Sequence, residues 1–310
     1  MSNPNPEART TPVSTAATEA GEGQKKTAEA SLLADAWRSL RKNPWFIISA
    51  AILLVMLAMA IFPQLFTSED PRACFLERNR QTPSAEHWFG TDIQGCDYYT
   101  RVIYGARNSI AVGFIVSLGV LVISLILGLV AGYFGKWVDA VISRFTDMVF
   151  AVPYILGALV FLNVIPTRGV REVAMVLIIF TWPTMTRLMR GSVISAASTE
   201  YVTAARALGA GHVTIMRRHI LPNSLGPVIG YATVFIGIII GAEATLTYLG
   251  VGLQLPAISW GLQLSDAKPY LTSFPHLLVF PLLFVSLTVF AFMTLGDAVR
   301  DALDPKSKKK

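Results

Sequence analysis

Six stretches of this chain are each long and apolar enough to cross a lipid bilayer as a helix: 45–66, 109–134, 141–164, 173–189, 227–249 and 277–295. A hydrocarbon core of about 30 Å takes roughly 20 helical residues, and inside it every backbone N–H and C=O must be paired within the protein. The expected architecture is therefore all-α and polytopic, with six transmembrane helices. An apolar share of 53% against 15% charged residues fits that solvent and disfavours a soluble enzyme.

Orientation follows from Lys and Arg, which are retained on the cytoplasmic side during insertion. With the N-terminus inside, 18 of the 26 basic residues fall on inner segments, so both termini are expected in the cytoplasm. The net charge of +6 and the Lys308-Lys309-Lys310 tail then answer to topology and anionic lipid, and no nucleic-acid partner is expected. Residues 1–30 hold almost no large apolar side chain and are expected to be a disordered cytoplasmic tail. Residues 31–66 are expected to hold the first span, preceded around 34–42 by either a short interfacial helix or a plain basic flank to that span. The remaining expected units are an extracytoplasmic segment at 67–108, a core at 109–297 and a basic tail at 298–310.

The extracytoplasmic segment holds both cysteines, Cys74 and Cys96. In an oxidising compartment they can close a disulfide, and two unpaired thiols are the alternative; ligand spacing for a metal is absent. Gly128-xxx-Gly132, Gly226-xxx-Gly230 and Gly237-xxx-Gly241 mark faces for close helix approach, with span five the expected seam. Pro153 and Pro183 are expected to interrupt spans three and four. Asp147 and Arg187 are placed near the cytoplasmic ends of those spans, where an interfacial position suffices for a charge. Glu243, a carboxyl near the outer end of span five, is a candidate pathway or gate residue because charge in a span ordinarily faces a cavity or a partner. Trp260 is a candidate gate residue or an interfacial anchor.

Between spans four and five lies a polar, helix-forming loop at 198–222. Ser198 or Thr199 is expected to cap a short helix from Glu200, and Ala204, Ala205, Ala207 and Leu208 extend it. Gly209 suits the left-handed turn that stops it, and a second short helix is expected to end at Pro222. Small alanine faces let another protein approach, and Arg206, Arg217 and Arg218 can meet its carboxylates.

At Thr203-Ala204-Ala205, Gly209, His219, Leu221 and Pro222 the chain resembles the permease subunits of type I ABC importers. Their cytoplasmic signature reads Glu-Ala-Ala, three residues, Gly, nine residues, Ile, one residue, Leu-Pro. Thr203 stands in place of the acid, with Glu200 one turn earlier, and His219 in place of Ile. Phe89-Gly90-Thr91-Asp92, Tyr104 to Ser109, Gly132-Tyr133-Phe134-Gly135, the run from Glu243 to Gly252, Ser259-Trp260-Gly261 and Leu295 to Pro305 are similar to the C subunit of the oligopeptide and dipeptide branch. That branch commonly has Arg where this chain has Cys96, a change expected if Cys96 pairs with Cys74.

The resemblance implies a type I ABC importer permease fold in the cell membrane. It also implies a second related permease, two ATPase subunits holding ATP and Mg2+, and an extracytoplasmic substrate-binding protein. Glu200, Thr203, Ala204, Ala205, Arg206, Gly209, Arg217, Leu221 and Pro222 then form the ATPase-coupling loop. The chain itself carries no Gly-x-x-x-x-Gly-Lys-Ser/Thr run, so it is expected to bind no cofactor and to catalyse nothing. Peptides are the implied cargo, with nickel or another small solute as the alternative. A secondary transporter is the rival class, and it calls for paired charges deep in the spans or inverted repeats.

Overall fold

A computed structural model describes residues 37–303. The expected disordered tail, residues 31–36 of the interfacial segment and the last seven residues of the basic tail lie outside the described residues; residues 37–40 are helical.

The chain builds helices wherever the apolar runs occur, and no strand forms among the described residues. α1 spans Pro44–Ile61, opened by Asn43, whose Oδ1 accepts the Trp45 N–H at 3.0 Å. It ends before Pro63, short of the expected Phe66. α2 spans Tyr98–Phe134 and starts eleven residues before the expected Ser109, because Asp97 caps it through the Thr100 N–H at 2.8 Å. α3, Lys136–Phe150, and α4, Tyr154–Val164, meet at a 74° bend beside Pro153, and only together are they long and apolar enough to cross a membrane.

α5, Val170–Ala197, runs through Pro183 without interruption, which corrects the expectation of a break there. Proline removes one donor, and the flanking turns of a well-packed helix hold the register. α6, Glu200–Ala207, is the short helix of the loop. α7 runs from His212 to Tyr248, with a π-helical stretch at Ile215–Ile220, so Pro222 sits inside a long helix and does not end it. The wider π turn absorbs the hydrogen bond that proline cannot donate. α8, Trp260–Ala267, and α9, His276–Leu303, complete the chain. Among the described residues five helices are long and apolar enough to cross a membrane, giving six spans where the bent α3–α4 pair is counted as one.

Two apolar clusters hold the bundle. One joins α2, α5 and α7 around Val116, Leu177, Met185, Met189 and Ile239. The other joins α1, the first turns of α2, α8 and α9 around Leu53, Ile103, Trp260 and Phe292. Gly128 and Gly132 let α2 lie against α5: an added Cβ on either would stand 2.7 Å from Met189 or Val193 side chains. α7 uses Gly237 in the same way against Val289 and Phe292 of α9, so the close seams are α2–α5 and α7–α9. Leu54, Leu118 and Val160 point outward at 60–70% exposure, as side chains that meet lipid tails do.

Candidate functional site

The loop between α5 and α7 is a two-sided object. Val202, Ala205, Ile215 and Ile220 turn inward and are buried, which fastens it to the bundle. Glu200, Thr203, Ala204, Arg206, Gly209, Arg217 and Pro222 remain exposed, and Leu221 is half-buried. Ala205 therefore fastens the loop, and the other small and charged residues are available to a partner.

Neither hydroxyl before α6 caps it: Ser198 and Thr199 donate instead to Ser195 O and Ala196 O, at 2.9 and 2.6 Å. Those bonds finish the last turn of α5, which competes for the same side chains. Gly209 does take the left-handed conformation, φ +80°, and the Ala210 N–H returns to Ala205 O at 3.1 Å. The loop is also tied to the end of α2. Tyr133 Oη lies 2.8 Å from His212 Nδ1, and the Arg206 guanidinium stands 5.5 Å over the Tyr133 ring. His219 faces Tyr201, ring centroids 6.5 Å apart.

Sequence reasoning missed the most exposed features of this loop. Leu208 is 88% exposed and Val213 is 62% exposed, one on each side of the Gly209 turn. The sequence marks Leu208 only as a helix former. Apolar side chains projecting from a tight turn into water mark a surface that a partner covers.

The opposite end of the bundle carries a polar cap. Cys74 and Cys96 are joined by a disulfide, and the Phe75 N–H donates to Gly95 O. Asp92 accepts the Cys96 N–H at 2.9 Å and the Arg101 guanidinium at 2.6 Å, and His87 Nδ1 lies 2.9 Å from the Asp97 carboxylate. Gly90 has φ +77°, and a Cβ there would fall 2.2 Å from Gln81 O. Asp266 of α8 has its carboxyl raised above the ordinary range, chiefly by desolvation, with Arg101 opposing and Asp92 adding to it.

Glu243 and Trp260 sit between cap and bundle, and both are fully buried. Thr247 donates to Glu243 Oε1 at 2.8 Å, and the Ser109 and Ser259 hydroxyls lie beside the carboxyl. Trp260 donates its indole N–H to Val102 O at 2.8 Å, so it is a packed core residue and not an interfacial anchor. Both residues face protein and line no open passage in this conformation.

Asp147 and Arg187 come together as a 2.7 Å ion pair. Arg187 lies ten residues from the loop end of α5, about 15 Å at 1.5 Å per residue.

An all-helical bundle with helices of membrane-crossing length, a firmly seated loop at one end and a polar cap at the other, is a polytopic membrane protein. Residues 124–309 match the family described as binding-protein-dependent transport system inner membrane component, and residues 31–83 match the N-terminal transmembrane domain of oligopeptide transport permease C. The chain is 40% identical to the dipeptide transport system permease protein of Alkalihalophilus pseudofirmus, covering 88% of this chain and 90% of that one. It is 36% identical to the oligopeptide transport system permease protein of Bacillus subtilis, over 95% and 96% of the two chains. A glutathione transport system permease protein of Escherichia coli is 38% identical over 88% and 90%. Among solved structures, the MetNI methionine ABC transporter in an inward-facing conformation shares the fold at a TM-score of 0.55 and 19% identity, over 66% of this chain and 96% of that one. The chain belongs to the family of binding-protein-dependent ABC importer permeases.

Proposed function

We propose that this chain is one of two permease subunits of an ATP-driven importer of short peptides. The observation that carries the cargo class is the 36–40% identity, along nearly the whole chain, to permeases of dipeptide and oligopeptide systems. Glutathione, the cargo named for other relatives, is itself a tripeptide, so one chemical class covers them.

In this reading two ATPase subunits, which hold ATP and Mg2+, grip the 198–222 loop through Leu208, Val213 and the exposed basic residues. Charge on inner segments supports cytoplasmic termini and a cytoplasmic loop. A substrate-binding protein then docks on the polar cap from outside. Closure of the ATPases moves the loop, and its inward-turned Val202 and Ile215 carry the motion to α5 and α7. Glu243 and Trp260 act at the outer end as a gate hinge, joining α7 to α2 and α8 without touching cargo.

The test is reconstitution of the complete complex in proteoliposomes with its own binding protein. Uptake of labelled di- and tripeptides should require ATP and binding protein. Uptake that persists with the ATPase catalytic residues disabled would instead favour a secondary transporter, and identification of a metal ion or other non-peptide in the binding protein would remove the cargo assignment.

A further inference from the structure

The polar cap is tied down unevenly about its disulfide. On one side Asp92 gathers the chain: its Oδ1 accepts the N–H groups of Gln94 and Cys96 at 2.8 and 2.9 Å, and its Oδ2 accepts the Arg101 guanidinium. Cys96 is fully buried there. On the other side Cys74 is half-buried, and Ala73, Phe75 and Leu76 beside it are exposed. A reagent arriving from water therefore meets Cys74 first.

The leaving side of the bond is also prepared electrostatically. Arg101, in the first turn of α2, places its Nη1 3.2 Å from Cys96 Sγ, with Asp92 Oδ2 at 2.6 Å and Gln94 Oε1 at 3.2 Å fixing the same nitrogen. When a disulfide is attacked, one sulfur departs as a thiolate, and it departs faster the more that anion is favoured. Burial among apolar groups disfavours a thiolate, and a guanidinium in contact favours it. Asp92 shares the guanidinium, but its Oδ1 is already met by two N–H groups.

Other attachments of the cap bypass the disulfide. The Phe89 ring stacks on Phe280 of α9 with centroids 3.8 Å apart, and the Arg80 guanidinium stands 5.2 and 5.5 Å over the rings of Tyr270 and Phe274. The Phe75 N–H donates to Gly95 O at 3.2 Å, between the neighbours of the two cysteines. These contacts keep the two sulfurs close once the bond between them opens, so its opening is reversible.

We infer that Cys74–Cys96 is an exchange site for small thiols, with Cys74 the sulfur attacked and Cys96 the leaving group that Arg101 stabilises. An incoming thiolate RS⁻ forms an S–S bond to Cys74 Sγ as the Cys74–Cys96 bond breaks, and the electron pair leaves on Cys96 Sγ beside the guanidinium. The products are a Cys74–S–S–R mixed disulfide and the Cys96 thiolate. Attack of that thiolate on Cys74 Sγ expels RS⁻ and restores the link. Attack of a second RS⁻ on the R sulfur instead releases RSSR and leaves two thiols in the cap.

The test uses the complete complex in lipid nanodiscs, treated with N-ethylmaleimide to block thiols of the other subunits and then exposed to millimolar 2-mercaptoethanesulfonate. After acid quenching, the chain is unfolded in fresh N-ethylmaleimide and its peptides are identified by mass. The thiol adduct should lie on Cys74 and the maleimide on Cys96. Arg101→Met should slow adduct formation about tenfold, and Arg101→Lys should restore most of the rate. Unfolding of the cap exposes the bond and speeds exchange, so a slower rate cannot come from a damaged fold. Where a thermal melt shows that Arg101→Met does loosen the cap, Cys74→Ser decides: its Cys96 should show ultraviolet thiolate absorbance at neutral pH that Cys74→Ser/Cys96→Ser lacks. Absence of that absorbance, an adduct on Cys96, an undiminished rate in a folded Arg101→Met, or a bond that yields to the thiol only in denaturant would each overturn the site.

Discussion

Leu208 projects from the loop with 88% of its surface in water, so the fold gains almost nothing from it. Truncation to alanine should therefore leave the melting temperature of the permease pair unchanged. Docking is different. Burying a leucine side chain is worth about 1.5–3 kcal/mol, and alanine retains a fraction of that, so a loss near 2 kcal/mol is expected on contact with the ATPase. At about 1.4 kcal/mol per tenfold, this weakens association roughly 30-fold. The assay is titration of purified permease pair with ATPase subunit, read by interferometry, beside a thermal melt of each permease variant. Val202→Ala is the contrast, since Val202 is fully buried under the loop and its truncation should lower the melting temperature. Unchanged affinity for Leu208→Ala would refute the assignment of this surface. So would a loss of affinity matched by an equal loss of thermal stability, because the effect would then come from the fold.

Other perturbations reach the remaining parts of the bundle. Gly90→Ala places a Cβ against Gln81 O at a positive φ, so the cap should detach and become sensitive to added protease while the spans stay folded. Cys74→Ser with Cys96→Ser removes a link across 22 residues, worth about 3 kcal/mol in the chain-entropy picture, and should lower the thermal midpoint of the cap without altering ATPase docking. Glu243→Gln keeps the volume but weakens acceptance from Thr247; uptake should fall while the complex still assembles, and wild-type uptake would remove the hinge role. Asp266→Asn should raise stability at neutral pH. The raised carboxyl holds its proton more tightly folded than unfolded, so the wild type loses stability as pH rises, and the advantage of Asn should shrink toward acid pH.

Long apolar runs are read reliably because the bilayer imposes one length and one backbone solution on all of them. What failed were the punctuation marks. Pro153 stands at a break between helices and Pro183 does not, and their surroundings differ: Pro183 is buried on α5 beside Trp182 and Met185, whereas Pro153 is exposed just before α4 begins. Pro222 was read as a stop because a local rule cannot see that a π turn just upstream re-registers the helix. The loop between α5 and α7 was legible through spacing, yet the exposure of its Leu208 was hidden, since a leucine among alanines reads as helix former until the turn aims it outward. The Arg187–Asp147 pair was hidden for another reason: two residues forty apart meet only once the bend in the third crossing is known.

The unbroken run of α7 has a mechanical consequence. From His212 at the loop to Tyr248 beneath α8 it extends about 55 Å at 1.5 Å per residue, so one rigid body carries both the loop end, where an ATPase is proposed to dock, and the Glu243 end. A tilt of that body about its close contact with α9 at Gly237 displaces its ends in opposite directions: the loop moves one way while Glu243 and the seat of Trp260 move the other. Opening inside is thereby linked to closing outside without a chain of side-chain relays. The π turn at Ile215–Ile220 is the one irregular element in that body, and it sits between the docking surface and the pivot. A deletion that restores a regular helix there rotates the Arg217–Arg218 face relative to Val202 by roughly 100° per residue, so it should uncouple ATP hydrolysis from uptake while leaving the bundle folded. Retained coupling in that variant would show that the lever tolerates a twisted grip, and the rigid-body account of α7 would then be wrong.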